Sequence, residues 1–220
     1  MKKVISLALC LMSVCFILTG CSNSGETFSE KSYTPDTQIH KITLNVRDRA
    51  IEVTPSNDEQ VHIQYCENSK EYYDISVSGE NGLTMTSACD KSWMDYIGAK
   101  PSAEDRKISL QIPDALLENL TLSTTNEDIT LSALPTARNI SLSSNGGNIS
   151  FENLDVSSSL TLIVKNGDIS GTITGCYDDF AIHSEIKKGK SNLPENKDGG
   201  EKKLTVSGNN GDVNIEFNGS

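Results

Sequence analysis

The chain has 220 residues and a formal charge of −11, and it is 36% hydrophobic and 5% aromatic, with six cysteines and one tryptophan. That length suits one domain with at most a small appendage, and the apolar fraction is too high for a chain disordered throughout. An acidic chain without a basic block excludes nucleic acid as a partner, because phosphate affinity comes from Lys and Arg, and it argues against adsorption to anionic lipid.

Lys2 and Lys3 precede an apolar run from Val4 to Leu18. The run has the length of a signal-peptide core and falls short of the roughly 20 residues that span a bilayer. It ends in Leu18-Thr19-Gly20-Cys21. This tetrapeptide resembles a bacterial lipobox, which implies cleavage before Cys21 and a diacylglycerol thioether on its sulfur. Residues 1–20 are then a lipoprotein signal peptide, and the mature chain is held on the extracytoplasmic face of a bacterial membrane. Several acyl chains on one residue make a stable anchor. Residues 21–38 are rich in Ser, Thr, Glu, Gly and Asn and read as a flexible stalk.

Three cysteines remain beyond the signal and the anchor: Cys66, Cys89 and Cys176. An odd count allows at most one internal disulfide. Cys66 and Cys89 both end predicted strands and are the favoured pair; free thiols are the alternative.

From residue 39 the chain reads as β-strand. Ile42 to Val46, Ile51 to Pro55, Val61 to Tyr65, Tyr73 to Val77, Leu83 to Met85 and Ile108 to Ile112 are the first strands. Ile51 follows Ile42 by nine residues, the spacing of the copies downstream, but the irregular spacing of the strands after it makes residues 39–118 an irregular N-terminal β cap. Trp93-Met94-Asp95-Tyr96-Ile97 concentrates scarce aromatics in what reads as an insertion. Trp93 and Tyr96 either cover the end of a core or form a partner contact.

Residues 119–218 repeat. Copies begin at Leu120, Ile140, Leu160, Ile182 and Leu204, spaced 20–22 residues apart, and within each a second strand begins nine residues on. Apolar residues alternate with Ser, Thr or Asn, as in Leu120-Thr121-Leu122-Ser123. Between the strands lie the turn triplets Asn126-Glu127-Asp128, Gly146-Gly147-Asn148, Asn166-Gly167-Asp168, Lys188-Gly189-Lys190 and Asn210-Gly211-Asp212. The recurrent central Gly points to positive φ. Constant spacing favours a parallel β-solenoid of 20–22-residue coils, stacked in chain order, over a meander of hairpins. The copy at Ile182 is the weakest, with Ser191 at a predicted core position.

Ile51-Glu52-Val53-Thr54-Pro55, Lys107-Ile108-Ser109-Leu110-Gln111-Ile112-Pro113 and the Asn166-Gly167-Asp168-Ile169 type of copy resemble a bacterial β-strand-repeat family. That family is described as "putative adhesins" of unknown function and is also called the toastrack domain. The resemblance covers roughly residues 39 to 217. It implies a β-helix-like fold on secreted, lipid-anchored or membrane-tethered proteins, some of which accompany envelope-stress systems. It brings no catalytic residues.

Few residues offer chemistry. Asp128, Asn148, Asp168 and Asp212 would line one solenoid edge, either as Ca²⁺ ligands or as turn-forming residues only. His40, His62 and His183 are scattered and the cysteines lack CxxC spacing, so no metal or cofactor is expected. There is no GxSxG elbow and no phosphate-binding glycine loop. Asp178-Asp179 is a tight acidic pair, but neighbours on a strand point to opposite faces, and a solvated loop pair is the simpler reading. The reading is therefore a non-enzymatic, adhesin-like surface module that binds an envelope or extracellular partner, protein or glycan. The alternatives are a polysaccharide-active or polysaccharide-binding protein and an envelope-stress regulatory lipoprotein.

Overall fold

The computed structural model describes residues 27–90, 100–113, 117–134 and 137–219. Cys21, Trp93 and Tyr96, singled out above, lie outside the described residues.

The strands are β1 (Ser29–Tyr33), β2 (Lys41–Asn45), β3 (Ala50–Pro55), β4 (His62–Glu67), β5 (Glu71–Val77), β6 (Gly82–Cys89), β7 (Lys107–Ile112), β8 (Leu117–Thr124), β9 (Ile129–Leu131), β10 (Ala137–Ser144), β11 (Ile149–Leu154), β12 (Val156–Asn166), β13 (Ile169–Ile173), β14 (Phe180–Lys188), β15 (Asn196–Lys197), β16 (Lys202–Asn210) and β17 (Val213–Phe217). They form an eight-stranded sheet, β1-β4-β7-β3-β9-β11-β13-β17, and a nine-stranded sheet, β15-β14-β16-β12-β10-β8-β2-β6-β5.

The repeat sets the register. Each copy places its first strand in the nine-stranded sheet and its second in the eight-stranded one. β8, β10 and β12 pair in parallel with Leu120, Ile140 and Leu160 side by side, and β9, β11 and β13 do the same with Ile129, Ile149 and Ile169. Alternate residues point inward, and those of both sheets merge into one apolar cluster that includes Leu122, Leu142, Leu162, Leu131 and Phe151. Burying one such side chain stabilises by about 1.5–3 kcal/mol.

The rhythm extends upstream. β2 pairs with β8 (Ile42 beside Leu120) and β3 with β9 (Ile51 beside Ile129), both in parallel. Residues 41–55 therefore stack on the later copies through the same two ladders. Within this N-terminal half the irregular pairing lies on the far side, where β4 runs antiparallel to β7 and β1, and β5 runs antiparallel to β6.

Four expectations are corrected. Ser29–Tyr33, read as stalk, is strand β1; its backbone pairs along β4, so ladder hydrogen bonds overrule a polar composition. The last two copies do not stack in chain order. β16 lies between β12 and β14, with Leu204 beside both Leu160 and Ile182. The copy starting at Leu204 has apolar residues on both strands, so it belongs inside the stack. The copy starting at Ile182 has the polar Ser191 and Asn192 where a second strand would be, and it suits the solvent end. Ser191 is accordingly exposed, and its backbone joins the sheet through an isolated bridge to Val213.

Positive φ is the wrong reason for two of the central turn glycines. Gly189 and Gly211 do have it, at 138° and 134°, but Gly147 and Gly167 are not among the positive-φ residues. At Gly147 a Cβ would overlap the Glu127 carbonyl of the neighbouring coil, and at Gly167 the Gly147 carbonyl. Close stacking of turns is what excludes a side chain there. Finally, Cys66 and Cys89 are not joined to each other. β4 and β6 end in different sheets, and burial pushes the Cys66 thiol above its ordinary value, which disfavours the reactive thiolate.

Candidate functional site

The most extended regular feature is the outer face of the nine-stranded sheet. Because Thr or Ser follows the first apolar residue in almost every copy, strand register converts a sequence pattern into a row. Thr84, Thr43, Thr121, Ser141, Thr161 and Thr205 stand side by side across six parallel strands, and His183 ends the row. Neighbouring strands are about 4.7–4.9 Å apart, so the hydroxyls repeat at that interval. A second row is cross-linked: Asn139 Nδ2 donates to Asn119 Oδ1 (3.0 Å) and Ser159 Oγ donates to Asn139 Oδ1 (2.8 Å). On the other side of the first row lie Ser123, Ser143, Ile163 and Ser207, where Ile163 is 39% exposed.

The turn row is already occupied by the fold. Asp128 Oδ1 accepts the Asn148 N–H (2.7 Å), Asn148 Oδ1 accepts that of Asp168 (2.9 Å), and Asp168 Oδ1 accepts that of Asp212 (2.7 Å). Asp212 Oδ1 then accepts the Lys190 N–H (2.7 Å). Each side chain ties its turn to the next one in the stack. Among the described residues no group of three or more His, Cys, Asp or Glu gathers where it could hold a metal ion.

One polar cluster was not legible in advance. Arg49 is 3% exposed. Its guanidinium donates to Tyr73 Oη (2.7 Å), Glu71 Oε2 (3.0 Å) and the Asp48 carbonyl (3.0 Å), and its charge lies over the Phe28 ring (5.8 Å). Burial works against the charge, but Tyr73 and Glu71 outweigh it and raise the Arg49 pKa. Burial also raises the Tyr73 pKa, against the pull of Arg49. These groups line a small recess of about 90 Å³ beside the exposed Cys89. The cluster joins the β2–β3 turn, the β5 edge and the segment before β1. A single Arg in a turn carries no sequence signal for such a clamp.

The other singled-out residues are dispersed. His62 Nε2 meets Asp58 (2.9 Å) and its Nδ1 meets Thr34 (2.8 Å). His183 Nδ1 meets Asn196 Oδ1 (2.8 Å). Asp178 and Asp179 lie in a single 3-10 turn, where Asp179 accepts the Cys176 N–H (3.0 Å) and Asp178 faces Lys197 (3.7 Å). The two carboxylates therefore serve different partners. Exposed Tyr72 and Tyr177 sit on β5 and in that 3-10 turn, without forming a common row.

Comparison with known proteins agrees with this architecture. A family model described as Toastrack DUF4097 matches residues 39–216. The fold resembles a crystal structure of a "putative cell adhesion protein" from Clostridium sporogenes, with a TM-score of 0.60 at 9% identity, covering 88% of this chain and 100% of that one. A "putative adhesin" from Bacteroides fragilis aligns at a TM-score of 0.35 and 14% identity, over 87% of this chain and 98% of that one. No curated protein matches the chain.

Proposed function

This chain belongs to the Toastrack DUF4097 family, and on that premise we propose that it is a non-enzymatic, adhesin-like binding module. In this reading it is lipid-anchored through Cys21 on the extracytoplasmic face of a bacterial membrane. It is a parallel β-solenoid of 20–22-residue coils that offers a flat β face to an envelope or extracellular partner.

The observation that carries the reading is the in-register hydroxyl row from Thr84 to Thr205. A wide flat face with repeated donors and acceptors suits a large or polymeric partner. A small substrate needs a concave pocket with a few converging polar groups. The recess at Arg49 is small, and its guanidinium is already satisfied by Tyr73, Glu71 and the Asp48 carbonyl, while the larger hollow of about 790 Å³ beside Asp36, Ser56 and Asp58 is an open, polar-lined surface dip.

Two measurements test this. Cys21→Ser should move the protein from the membrane to the soluble fraction; retention on the membrane would refute the anchor. Crosslinking on intact cells followed by capture of the full-length chain should recover a defined envelope component. Recovery of the uncrosslinked chain alone, at all crosslinker lengths, would refute partner binding.

A further inference from the structure

At the end of the stack formed by β12, β16 and β14, charge differs between the two outer faces. Across β12, β14 and β16 the outward positions carry Lys165, Lys187 and Lys203, against the single carboxylate of Glu185. All three lysines are exposed, and none makes an ion pair among the described residues. At the same end of the opposite sheet, β11, β13 and β17 present Glu152 and Glu216 outward and no Lys or Arg. In a chain of charge −11, the lysine face is a local reversal.

The lysines also bracket the hydroxyl row. Register places Lys165 and Lys187 on either side of Asn209, so their backbones are about 9–10 Å apart at two strand spacings. Lys203 lies on the other side of Thr205, about 20 Å from Asn209 along β16 at 3.3 Å per residue. Between them run Thr161, Thr205 and His183, and in the next row Glu185, Ser207 and the exposed Ile163, so three lysines face one carboxylate. A linear polymer crossing the strands along this row would meet hydroxyls beneath it, an apolar contact at Ile163 and cations on both flanks.

We propose that this end of the nine-stranded sheet binds an acidic polysaccharide, a polymer of sugar rings bearing carboxylates. Its hydroxyls exchange hydrogen bonds with the Thr and Ser row, its carboxylates sit between the lysines, and the less polar face of a ring covers Ile163. Flat shape matches flat shape, and the charge complementarity selects an acidic chain over a neutral one. This inference rests on the partner-binding reading above and names the chemical class of that partner.

The test is affinity electrophoresis of the full-length chain in neutral detergent, with polygalacturonate in the gel. Dextran serves as the neutral polymer and polyglutamate as a polyanion without sugar hydroxyls. Phosphatidylglycerol vesicles in flotation test an anionic membrane. Polygalacturonate should retard the chain, with salt weakening the effect as it screens exposed charge. Dextran, polyglutamate and vesicles should bind far less. The triple variant K165E/K187E/K203E should bind about tenfold more weakly or worse, with unchanged circular dichroism and melting, while K100E binds as wild type. Equal retardation by polyglutamate or dextran, preference for vesicles, or wild-type retardation of the folded triple variant would each overturn the proposal. If polygalacturonate fails while cell-surface crosslinking still recovers an envelope component, the acidic-polysaccharide inference falls and the partner-binding reading stands.

Discussion

The Asp168 carboxylate accepts the backbone N–H of Asp212, 44 residues later in the chain, at 2.7 Å. The equivalent bonds at Asp128 and Asn148 reach only 20 residues ahead. The longer reach records that the copy starting at Ile182 is bypassed. It joins the row last, when Lys190 donates to Asp212.

That ladder should be worth measurable stability. Asp168→Ala removes the acceptor and leaves the Asp212 N–H to water or to nothing, which costs about 1–2 kcal/mol. Asp168→Asn should lose much less, because an amide oxygen already does this job at Asn148. Urea denaturation checks both; equal losses would show that charge rather than the shared acceptor matters.

Turn stacking makes a sharper claim at Gly147. Gly147→Ala places a methyl against the Glu127 backbone, which cannot step aside as a flexible side chain would. The expected loss is about 3 kcal/mol. Gly79→Ala meets nothing within 4 Å and should stay within about 0.5 kcal/mol of wild type. Thermal melts of the two variants separate close approach from a general effect of losing a glycine.

The outer edge of β17 is met at Val213 by the backbone of Lys190 and Asn192, and at Ile215 by one side chain. Asn192 Nδ2 donates to the Ile215 carbonyl (2.8 Å) and Asn192 Oδ1 accepts the Ile215 N–H (3.0 Å), so the amide imitates a neighbouring strand. Asn192→Ala exposes both groups, and exposed edges pair with other chains. Light scattering should show stronger concentration-dependent self-association than wild type; identical curves would mean that the edge is protected otherwise.

Acid should weaken the fold through Asp48. Burial pushes its carboxyl up, but hydrogen bonds from Asn126 and Thr125, with Arg47 and Lys100 nearby, outweigh burial and hold it below the ordinary value. A folded pKa below the unfolded one, about 3.9, contributes stability above that value and loses it as pH falls through the folded pKa. Urea midpoints should therefore fall between pH 5 and pH 3. Asp48→Asn, which tolerates the positive φ of 54° at this position, should show a shallower fall. Parallel pH profiles would rule Asp48 out as a source of the acid sensitivity.

How far the fold could be read in advance varied by element. The ladders from Leu120 through Leu160 were legible because alternation with a constant count puts like residues side by side. The Ile42 to Val53 copy was visible as a nine-residue spacing, but the irregular segment after it concealed that it stacks on Leu120. The row of Asp128, Asn148, Asp168 and Asp212 was visible, while its use as cross-coil acceptors was not, since a turn residue has the same composition whichever coil it touches. The Arg49 clamp was invisible, because Glu71 and Tyr73 approach it only through the sheet ends.

By itself the sequence determined the strands of the regular copies, their inward faces and the pairing of like positions. These follow from period-two alternation and from burial of one face, which are local properties of the chain. Only the tertiary structure decided the order of the last copies, the place of Gly147 against Glu127 and the gathering of Lys165, Lys187 and Lys203 at one end of the nine-stranded sheet. Each of these depends on which coil lies next to which. That choice is made by competition for the buried position, where the copy starting at Leu204, apolar on both strands, displaces the one starting at Ile182 to the solvent end.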